Sequence, residues 1–370
     1  MNLKDPSNSV LARKPKHQEV FERLRAAIRS GEYSPGDRLP TEAEFIQHFS
    51  VSRTTVNRAL RDLQNEGILT RRRGSGTYIP KDKRDAARTA MWFMLPPLEV
   101  GSLFSVVQRI LVREAETLGW SISVRELSPA IDKREAKGVV DDMIDRGADG
   151  LFYLPHAVTG PPGELNRAVI EAFENRTNAP LILLDRDILS FPQRSTYDLV
   201  CSDNQRGGHL ITDHLLERGC SRIIFFLGSH DMPSSSARLA GFRLAMQQKG
   251  MGSAISVSGD PDSREFVQGV MRDHQPDGII CDNDYDAARV MRQLLNIGAR
   301  IPDDVSLAGF DDTPTAALLP VPLTTVRQNV QGVASWAITL MANRIDKPDQ
   351  PACRALIDCE LVMRESTGKP

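Results

Sequence analysis

Four polar residues with complementary hydrogen-bonding groups lie close to short apolar runs in the last 280 residues of this 370-residue sequence. Asp185 follows PLILL, Asn283 follows IICD, Asp311 follows VSLAGF, and Arg238 opens RLAGF. Carboxylates accept hydrogen bonds, an amide donates and accepts them, and a guanidinium donates several. The combination suits a polyhydroxylated small ligand, and Phe104 could stack on an apolar face of its ring.

This set lacks the residue patterns that are typical of catalysis. It contains no nucleophile–base pair, and the sequence has no glycine-rich phosphate loop and no nucleophile elbow. His209 and His214 are five residues apart and do not share a helix face, so they predict no metal site. We therefore expect a binding protein without a cofactor, not an enzyme.

A second group of residues, within the first 80, has the composition of a nucleic-acid contact. This head carries 14 Lys and Arg against 9 Asp and Glu, whereas the remaining residues have a net charge of -7. Basic side chains gain affinity for DNA by neutralising phosphates and releasing counterions. Arg71, Arg72 and Arg73 form a continuous run, and we expect them to contribute to this contact.

Three helices and a hairpin are predicted to position the residues of the head. The first helix covers His17–Arg29, and Thr41 and Glu44 have the spacing of a capping box at the start of the second. Ser52 can cap the third helix. Two short strands with a glycine-containing tip follow over residues 68–79 and form a wing. The third helix exposes a polar face made by Arg53, Thr54, Asn57, Arg58 and Arg61.

The chain after the head predicts an α/β fold. Residues 81–90 are polar and lack apolar periodicity, which indicates a linker. In residues 91–370, the body, short apolar runs alternate with amphipathic helical segments, as in parallel sheets covered by helices. The runs are Met91–Leu95, Ser121–Val124, Gly150–Tyr153, Leu181–Leu184, Ile223–Leu227, Gly278–Cys281 and Ser306–Gly309.

The length of the body is sufficient for two lobes. We assign residues 91–197 with 330–352 to the first lobe and 198–329 with 353–370 to the second. In open α/β sheets the ligand crevice lies beyond the carboxyl ends of the strands. The polar residues that follow the apolar runs are therefore expected to meet there.

Composition also bears on the compartment. The five cysteines are odd in number and scattered, so a disulfide framework is not expected. The amino terminus lacks the pattern of a secretion signal, and no window of about 18 uncharged apolar residues occurs. We expect a cytoplasmic protein without a membrane partner.

The segment from His17 to Pro80 resembles the DNA-binding domain of the GntR family, through SGEYSPGDRLPTEAEF, VSRTTVNRALRDLQNEGIL and RRRGSGTYI. The resemblance implies a winged helix-turn-helix whose third helix enters the major groove. Ala43 and Asn57 replace residues that are commonly basic in the family, so the base preference is open, and Asn57 could pair with adenine. The DNA-contacting residues expected from this resemblance and from the helix and wing are Arg38, Ser52, Arg53, Thr54, Thr55, Asn57, Arg58, Arg71, Arg72, Arg73, Gly74, Gly76 and Thr77.

Residues 91–363 resemble the effector domain of the LacI/GalR family and the periplasmic sugar-binding proteins. The motifs are VCSDNQRGGHLITDHLLERGCSRIIFFLG, SSARLAGF, PDGIICDND, IPDDVSLAGFDDT and PLTTVRQ. Together with the GntR-like head, they match the hybrid arrangement of arabinose-responsive repressors. The ligand contacts implied are Phe104, Asp185, Arg238, Asn283, Asp311 and Gln328.

The function expected is that of a homodimeric transcriptional repressor whose hold on operator DNA depends on a small effector, with a monosaccharide as the first choice. A nucleobase effector is an alternative. Another is a sugar-sensing protein whose head no longer binds DNA. An α/β enzyme is a third, which the missing catalytic motifs disfavour.

Overall fold

The computed structural model describes residues 16–29, 32–34, 36–65, 68–72, 76–79, 89–97, 102–157, 160–228 and 232–368. The chain forms two compact units, Met1–Thr89 and Ala90–Pro370, which contain the head and the body. Most of the predicted linker, together with Arg73 and Gly74, lies outside the described residues.

The first unit consists of three helices and a two-stranded hairpin. An apolar cluster that includes Val20, Phe45 and Leu60 joins all three helices. The predicted capping box is confirmed, since the Thr41 hydroxyl accepts from the Glu44 N–H and the Glu44 carboxylate accepts from the Thr41 N–H. The elements are α1 (Lys16–Arg29), α2 (Glu42–Phe49), α3 (Arg53–Asn65), β1 (Thr70–Arg72) and β2 (Gly76–Tyr78).

The second unit alternates strands and helices, and its strands form three sheets. The strands are β3 (Ala90–Leu95), β4 (Ser121–Glu126), β5 (Gly150–Tyr153), β6 (Leu181–Leu184), β7 (Asp198–Ser202), β8 (Ile223–Leu227), β9 (Ile255–Ser258), β10 (Gly278–Cys281), β11 (Ser306–Ala308), β12 (Thr325–Gln328), β13 (Arg354–Ile357) and β14 (Cys359–Val362). The helices are α4 (Leu103–Thr117), α5 (Lys133–Asp145), α6 (Gly160–Glu174), α7 (Asn204–Glu217), α8 (Pro233–Gln248), α9 (Arg264–His274), α10 (Asp284–Asn296) and α11 (Val330–Asp346).

The first lobe is built on a six-stranded parallel sheet in the order β13-β7-β6-β5-β3-β4. Helices α4 and α11 pack on one face through a cluster that contains Leu111 and Met341. Helices α5 and α6 cover the other face through Val140 and Val169. The near-continuous apolar runs of β5 and β6 are buried because both faces of the sheet are covered.

The second lobe has a four-stranded parallel sheet in the order β11-β10-β8-β9. Helices α7 and α8 pack on one face through Ile211 and Phe242, and α9 and α10 pack on the other through Val267 and Val290. Strands β12 and β14 pair antiparallel in a separate ribbon. None of the described helices has the length and apolar character that a membrane span requires.

The structure corrects our division of the lobes at two strands. We assigned residues 198–202 and 353–357 to the second lobe, but β7 pairs with β6 and β13 in the first sheet. The chain therefore crosses after the carboxyl ends of β7 and β13, and again between β12 and α11. The Asp198 carboxylate fixes this arrangement by binding Arg344 of α11 and the Cys353 N–H.

Candidate functional site

The start of α3 presents a compact group of polar side chains. The Ser52 hydroxyl caps the helix by accepting from the Thr55 N–H, and it lies 2.8 Å from the hydroxyls of both Thr54 and Thr55. The Arg53 side chain is 79% exposed, and Arg58 is also exposed one turn further along. The residues of α3 that were predicted to contact DNA thus lie together at the amino-terminal end of the helix, where solvent can reach them.

Glu42, at the start of α2, contacts two of these residues. Its carboxylate lies 3.5 Å from Arg53 Nε and accepts a hydrogen bond of 3.0 Å from Asn57 Nδ2. The sequence alone does not indicate this role, because an acidic residue in the first turn of a helix already has a local explanation in the helix dipole. Glu42 therefore orients two residues that were predicted to face DNA.

Arg38 lies at the base of the wing, against Gly76. A Cβ atom at Gly76 would come 2.8 Å from Arg38 Nε, and the residue has a φ of +125°. The neighbouring backbone is held to β2 by the Leu39 N–H, which donates to the Thr77 carbonyl. The wing and Arg38 thus form one surface. The backbone of Arg71 and Arg72 lies in β1, their side chains are not among the described atoms, and Arg73 and Gly74 are outside the described residues.

In the body, Asp185, Asp311 and Asp312 have left-handed backbone conformations, with φ of 65°, 114° and 55°. This region is costly for residues other than glycine, and such conformations cluster at functional sites. Asp185 follows β6, and Asp311 lies shortly after β11. Two of the predicted ligand residues are therefore held in strained positions at strand ends.

Arg238 is the centre of a buried network on the second lobe. Its Nε donates to Asn204 Oδ1 at 2.8 Å, and its Nη1 donates to the Asp282 carbonyl at 2.5 Å. Nη2 lies 3.5 Å from Asp311 Oδ1, and the guanidinium carbon stacks 3.8 Å from the Phe310 ring centroid. Because the side chain is only 7% exposed, these contacts hold it in a fixed orientation.

Two glycines bring the helix of Arg238 into place. A Cβ at Gly208 of α7 would lie 2.1 Å from the Arg238 carbonyl oxygen, and one at Gly241 of α8 would lie 2.0 Å from the Gln205 carbonyl oxygen. Both distances are far below a normal contact, so only glycine permits this approach of α7 and α8. The motif glycines thus determine where Arg238 lies.

Gln328 links Arg238's network to the connections between the lobes. Its Nε2 donates to Asp311 Oδ1 at 2.6 Å, and its Oε1 accepts from the Ser202 hydroxyl at 2.5 Å. Ser202 ends β7 and Gln328 ends β12, so each lies directly before a crossover. Ser202 was not predicted, since its partner is 126 residues away.

The first lobe contributes Asp185, Phe104 and a residue that the sequence analysis missed. Arg186 Nε donates to Asp185 Oδ2 at 2.7 Å, and the guanidinium carbon lies 6.0 Å from the Phe104 ring centroid. Arg186 Nη1 also lies 2.8 Å from the sulfur of Met232, which precedes α8 in the second lobe. The signal was its position next to Asp185 after an apolar strand.

The side chain of Asn283 caps a helix. Its Oδ1 accepts from the Asp286 N–H at 2.8 Å, which makes it the N-cap of α10. Asp284, the first residue of α10, uses its carboxylate to accept from the hydroxyls of Thr325 and Thr313. Burial raises the pKa of Asp284 to about 6.

Polar side chains from both lobes line a region that we call the cleft. They largely satisfy one another's hydrogen-bonding groups. A cavity of about 10 Å³ remains among residues that include Phe104, Asp185, Ser202 and Gln328, which is room for about one water molecule. Burial raises the pKa of Asp311 to about 7, although Arg238 opposes the increase. A ligand larger than a water molecule would therefore fit only if the lobes separated and these internal hydrogen bonds were exchanged for ligand contacts. Across the part of the chain that the structure describes, no three His, Cys, Asp or Glu side chains are placed to hold a metal ion.

Comparison with known families agrees with both parts of this geometry. Residues 16–79 match the gntR family of bacterial regulatory proteins, and residues 212–367 match the periplasmic binding protein-like domain. The chain joins a GntR-type DNA-binding domain to a periplasmic-binding-protein-like domain. The GntR-type domain contains the α3 and wing residues, and the matched part of the other domain contains Arg238, Asp311 and Gln328.

Two curated relatives match different shares of the chain. The chain is 27% identical to the "Arabinose metabolism transcriptional repressor" of Geobacillus stearothermophilus, across 95% of this chain and 98% of the relative. It is 31% identical to the "Ribose operon repressor" of Halalkalibacterium halodurans, across 51% of this chain and 57% of that protein.

Solved structures support the fold. A transcriptional regulator CelR–cellobiose complex superposes with a TM-score of 0.65 at 20% identity, covering 85% of this chain and 91% of the other. A LacI family regulator from Enterococcus faecium with bound ribose gives a TM-score of 0.62 at 21% identity, covering 76% and 99%.

Proposed function

We propose that this protein is a transcriptional repressor whose affinity for operator DNA is controlled by a sugar bound in the cleft. The observation that carries the proposal is the hydrogen-bonded chain from Arg238 through Asp311 to Gln328. It joins predicted ligand-binding groups directly to a crossover between the lobes. A ligand that rearranges this chain would change the relation of the lobes.

The GntR-type domain would bind DNA through α3 and the wing. With α3 in the major groove, Arg53, Thr54 and Asn57 would reach base edges, while Arg38 and the wing would contact the backbone or the minor groove. Glu42 limits the freedom of Arg53 and Asn57 before DNA binds. The conformational freedom that these two side chains lose on binding is correspondingly smaller.

The cleft would couple sugar binding to DNA binding through the lobes. Sugar hydroxyls can donate to Asp185 and Asp311 and accept from Arg186 and Arg238. The ligand shifts the lobes only if it binds one arrangement more tightly. A coupling of about 1–3 kcal/mol would change operator affinity roughly 5–150-fold.

Three further features belong to this proposal. A monosaccharide is the first candidate effector, since relatives are named for arabinose and ribose. Two copies would bind the two halves of a symmetric operator, and sugar binding would release them. The protein would act in the cytoplasm, where bacterial DNA lies.

Binding of the purified protein to genomic DNA fragments tests the DNA part. We expect enrichment of a limited set of sites and a loss of roughly 10-fold or more in affinity for Arg53→Ala, because a base contact is worth about 1–3 kcal/mol. Arg61→Ala is the matched control, since Arg61 is exposed on the same helix and is not predicted to read DNA. Recovery of no preferred site would instead support a sugar-sensing protein with an inactive head.

Thermal shift in the presence of L-arabinose, D-ribose, cellobiose or hypoxanthine tests the effector part. A ligand that binds only the folded state raises its stability by mass action. We expect a shift with at least one sugar and the release of enriched DNA by the same sugar. A shift with hypoxanthine alone would favour the nucleobase alternative.

A further inference from the structure

His156 belongs to the first lobe and lies in the segment that follows β5. The buried side chain of Asn166 holds this segment, since its Oδ1 accepts from the His156 N–H at 2.9 Å and its Nδ2 donates to the His156 carbonyl at 3.2 Å. The Tyr153 hydroxyl donates to the same Asn166 oxygen at 2.8 Å. The position of His156 is therefore fixed by the fold rather than by a flexible loop.

The imidazole of His156 is buried, yet one of its nitrogens lacks a hydrogen bond. The residue is 4% exposed, and its Nε2 has no partner among the residues that the structure describes. The backbone carbonyl of Leu127 lies near the ring and favours a proton on it. Because Nε2 has no partner, we assign this proton to Nδ1.

The protonation state of His156 follows from its surroundings. Burial, together with the positive charge of Arg186, lowers the pKa of His156 to about 4. The ring is therefore neutral near pH 7. With the proton on Nδ1, Nε2 carries a lone pair and can only accept a hydrogen bond. A buried acceptor without a donor lowers stability, and such groups in native proteins call for an explanation.

The location of His156 supplies that explanation. Strands β5 and β6 are neighbours in the first sheet, so His156 and Arg186 emerge at the same edge. Arg186 in turn pairs with Asp185 and lies over Phe104. His156 thus lies at the same edge of the sheet as the first-lobe group of the cleft, close enough to feel the charge of Arg186.

We propose that His156 Nε2 accepts a hydrogen bond from a hydroxyl group of the effector, which makes it a specificity-determining residue of the cleft. The inference rests on the proposed function and deepens it. A sugar hydroxyl supplies the missing donor. A phosphate or carboxylate group at this point would place an oxygen acceptor against the Nε2 acceptor, with no hydrogen to share. The subsite therefore selects an unphosphorylated, uncharged part of the sugar.

Two substitutions separate the acceptor from the structural role of the ring. In His156→Asn the side-chain amide can replace Nδ1 as the donor to Leu127, but nothing reaches the position of Nε2. In His156→Gln the longer side chain can place its carbonyl oxygen there. We expect about a 5-fold or greater loss of sugar affinity for the Asn variant, because leaving a buried hydroxyl donor without its acceptor costs about 1–3 kcal/mol. For the Gln variant we expect a loss of less than about threefold.

Calorimetric titration of the full-length chain with L-arabinose, D-ribose and cellobiose measures these affinities. Equal sugar affinity in wild type and His156→Asn would overturn the inference while leaving the proposed function intact. Failure of the wild type to bind any of the three sugars would overturn both.

A measurement on the wild type gives a readout that does not depend on any variant. The ¹⁵N resonance of His156 Nε2 should move when the binding sugar is added, because its lone pair gains a donor. The ring of His209, which bonds Gln248 on α8, is the internal reference and should not respond. An unchanged His156 signal at sugar saturation would overturn the inference.

Discussion

Replacement of Asp311 by Asn should make the body more stable at high pH and leave it nearly unchanged at low pH. The pKa of Asp311 is raised from 3.8 to about 7, chiefly by burial. The folded state therefore binds a proton that the unfolded chain has already released between these two values. As pH rises through this range, the wild type loses stability, whereas a neutral amide does not titrate.

The magnitude follows from the difference in pKa. At 1.36 kcal/mol per pKa unit, an increase of about 3 units corresponds to about 4 kcal/mol as an upper value. The amide keeps an oxygen that can accept from Gln328, so the change in shape is small. The Asn variant should therefore gain up to about 4 kcal/mol relative to wild type between pH 4 and pH 8.

Urea unfolding followed by tryptophan fluorescence measures this difference. Trp92, Trp120 and Trp336 all lie in the body, so the signal reports the unfolding of that unit and not of the head. Asp303→Asn is the control, since it makes the same change at a side chain that is 69% exposed. A free-energy difference between Asp311→Asn and wild type that stays constant from pH 4 to pH 8 would refute the reasoning.

Two further substitutions test the packing of each unit. Gly208→Ala places a Cβ 2.1 Å from the Arg238 carbonyl oxygen, so it should cost at least about 1–3 kcal/mol and weaken sugar binding. Its control is Gly138→Ala in α5, where nothing lies within 4 Å and a gain of about 0.5–1 kcal/mol is expected. Thr41→Ala removes the capping box of α2 and should lower the stability of the head by about 1 kcal/mol. Circular dichroism of the head transition should show this loss while the tryptophan transition of the body stays in place.

The α/β class and seven strands of the body could be predicted because buried parallel strands are short apolar runs. Strands β7, β9, β12, β13 and β14 were missed. Their sequences, such as DLVCS and ISVS, mix polar and apolar residues. Asp198 in β7 is tolerated inside the sheet only because Arg344, distant in the sequence, neutralises it. The sequence around Asp198 does not reveal Arg344 as its partner. For this reason residues 198–202 were assigned to the wrong lobe.

The candidate site was predictable in its residue types and less so in its partners. Strand ends place Asp185 and Asp311 at the cleft, as the general rule for α/β sheets predicts. The capping role of Asn283 depends on Asp286 nearby, but the competing role of Asp284 depends on Thr325, 41 residues away. Arg186, Glu42 and His156 were missed for the same reason, since their significance comes from neighbours that only the fold supplies.

Gln328 has a consequence for how this protein can be regulated or redesigned. The Gln328 amide donates to Asp311, a predicted ligand-binding residue, and accepts from Ser202 at a crossover between the lobes. One side chain would therefore take part both in ligand binding and in movement of the lobes. Under the proposed function, thermodynamic reciprocity requires occupancy of DNA to alter sugar affinity by the factor with which sugar alters DNA affinity. A cell containing many operator copies would thus respond at a different sugar concentration from a cell containing few. Substitutions at Gln328 would shift that threshold and the size of the response together.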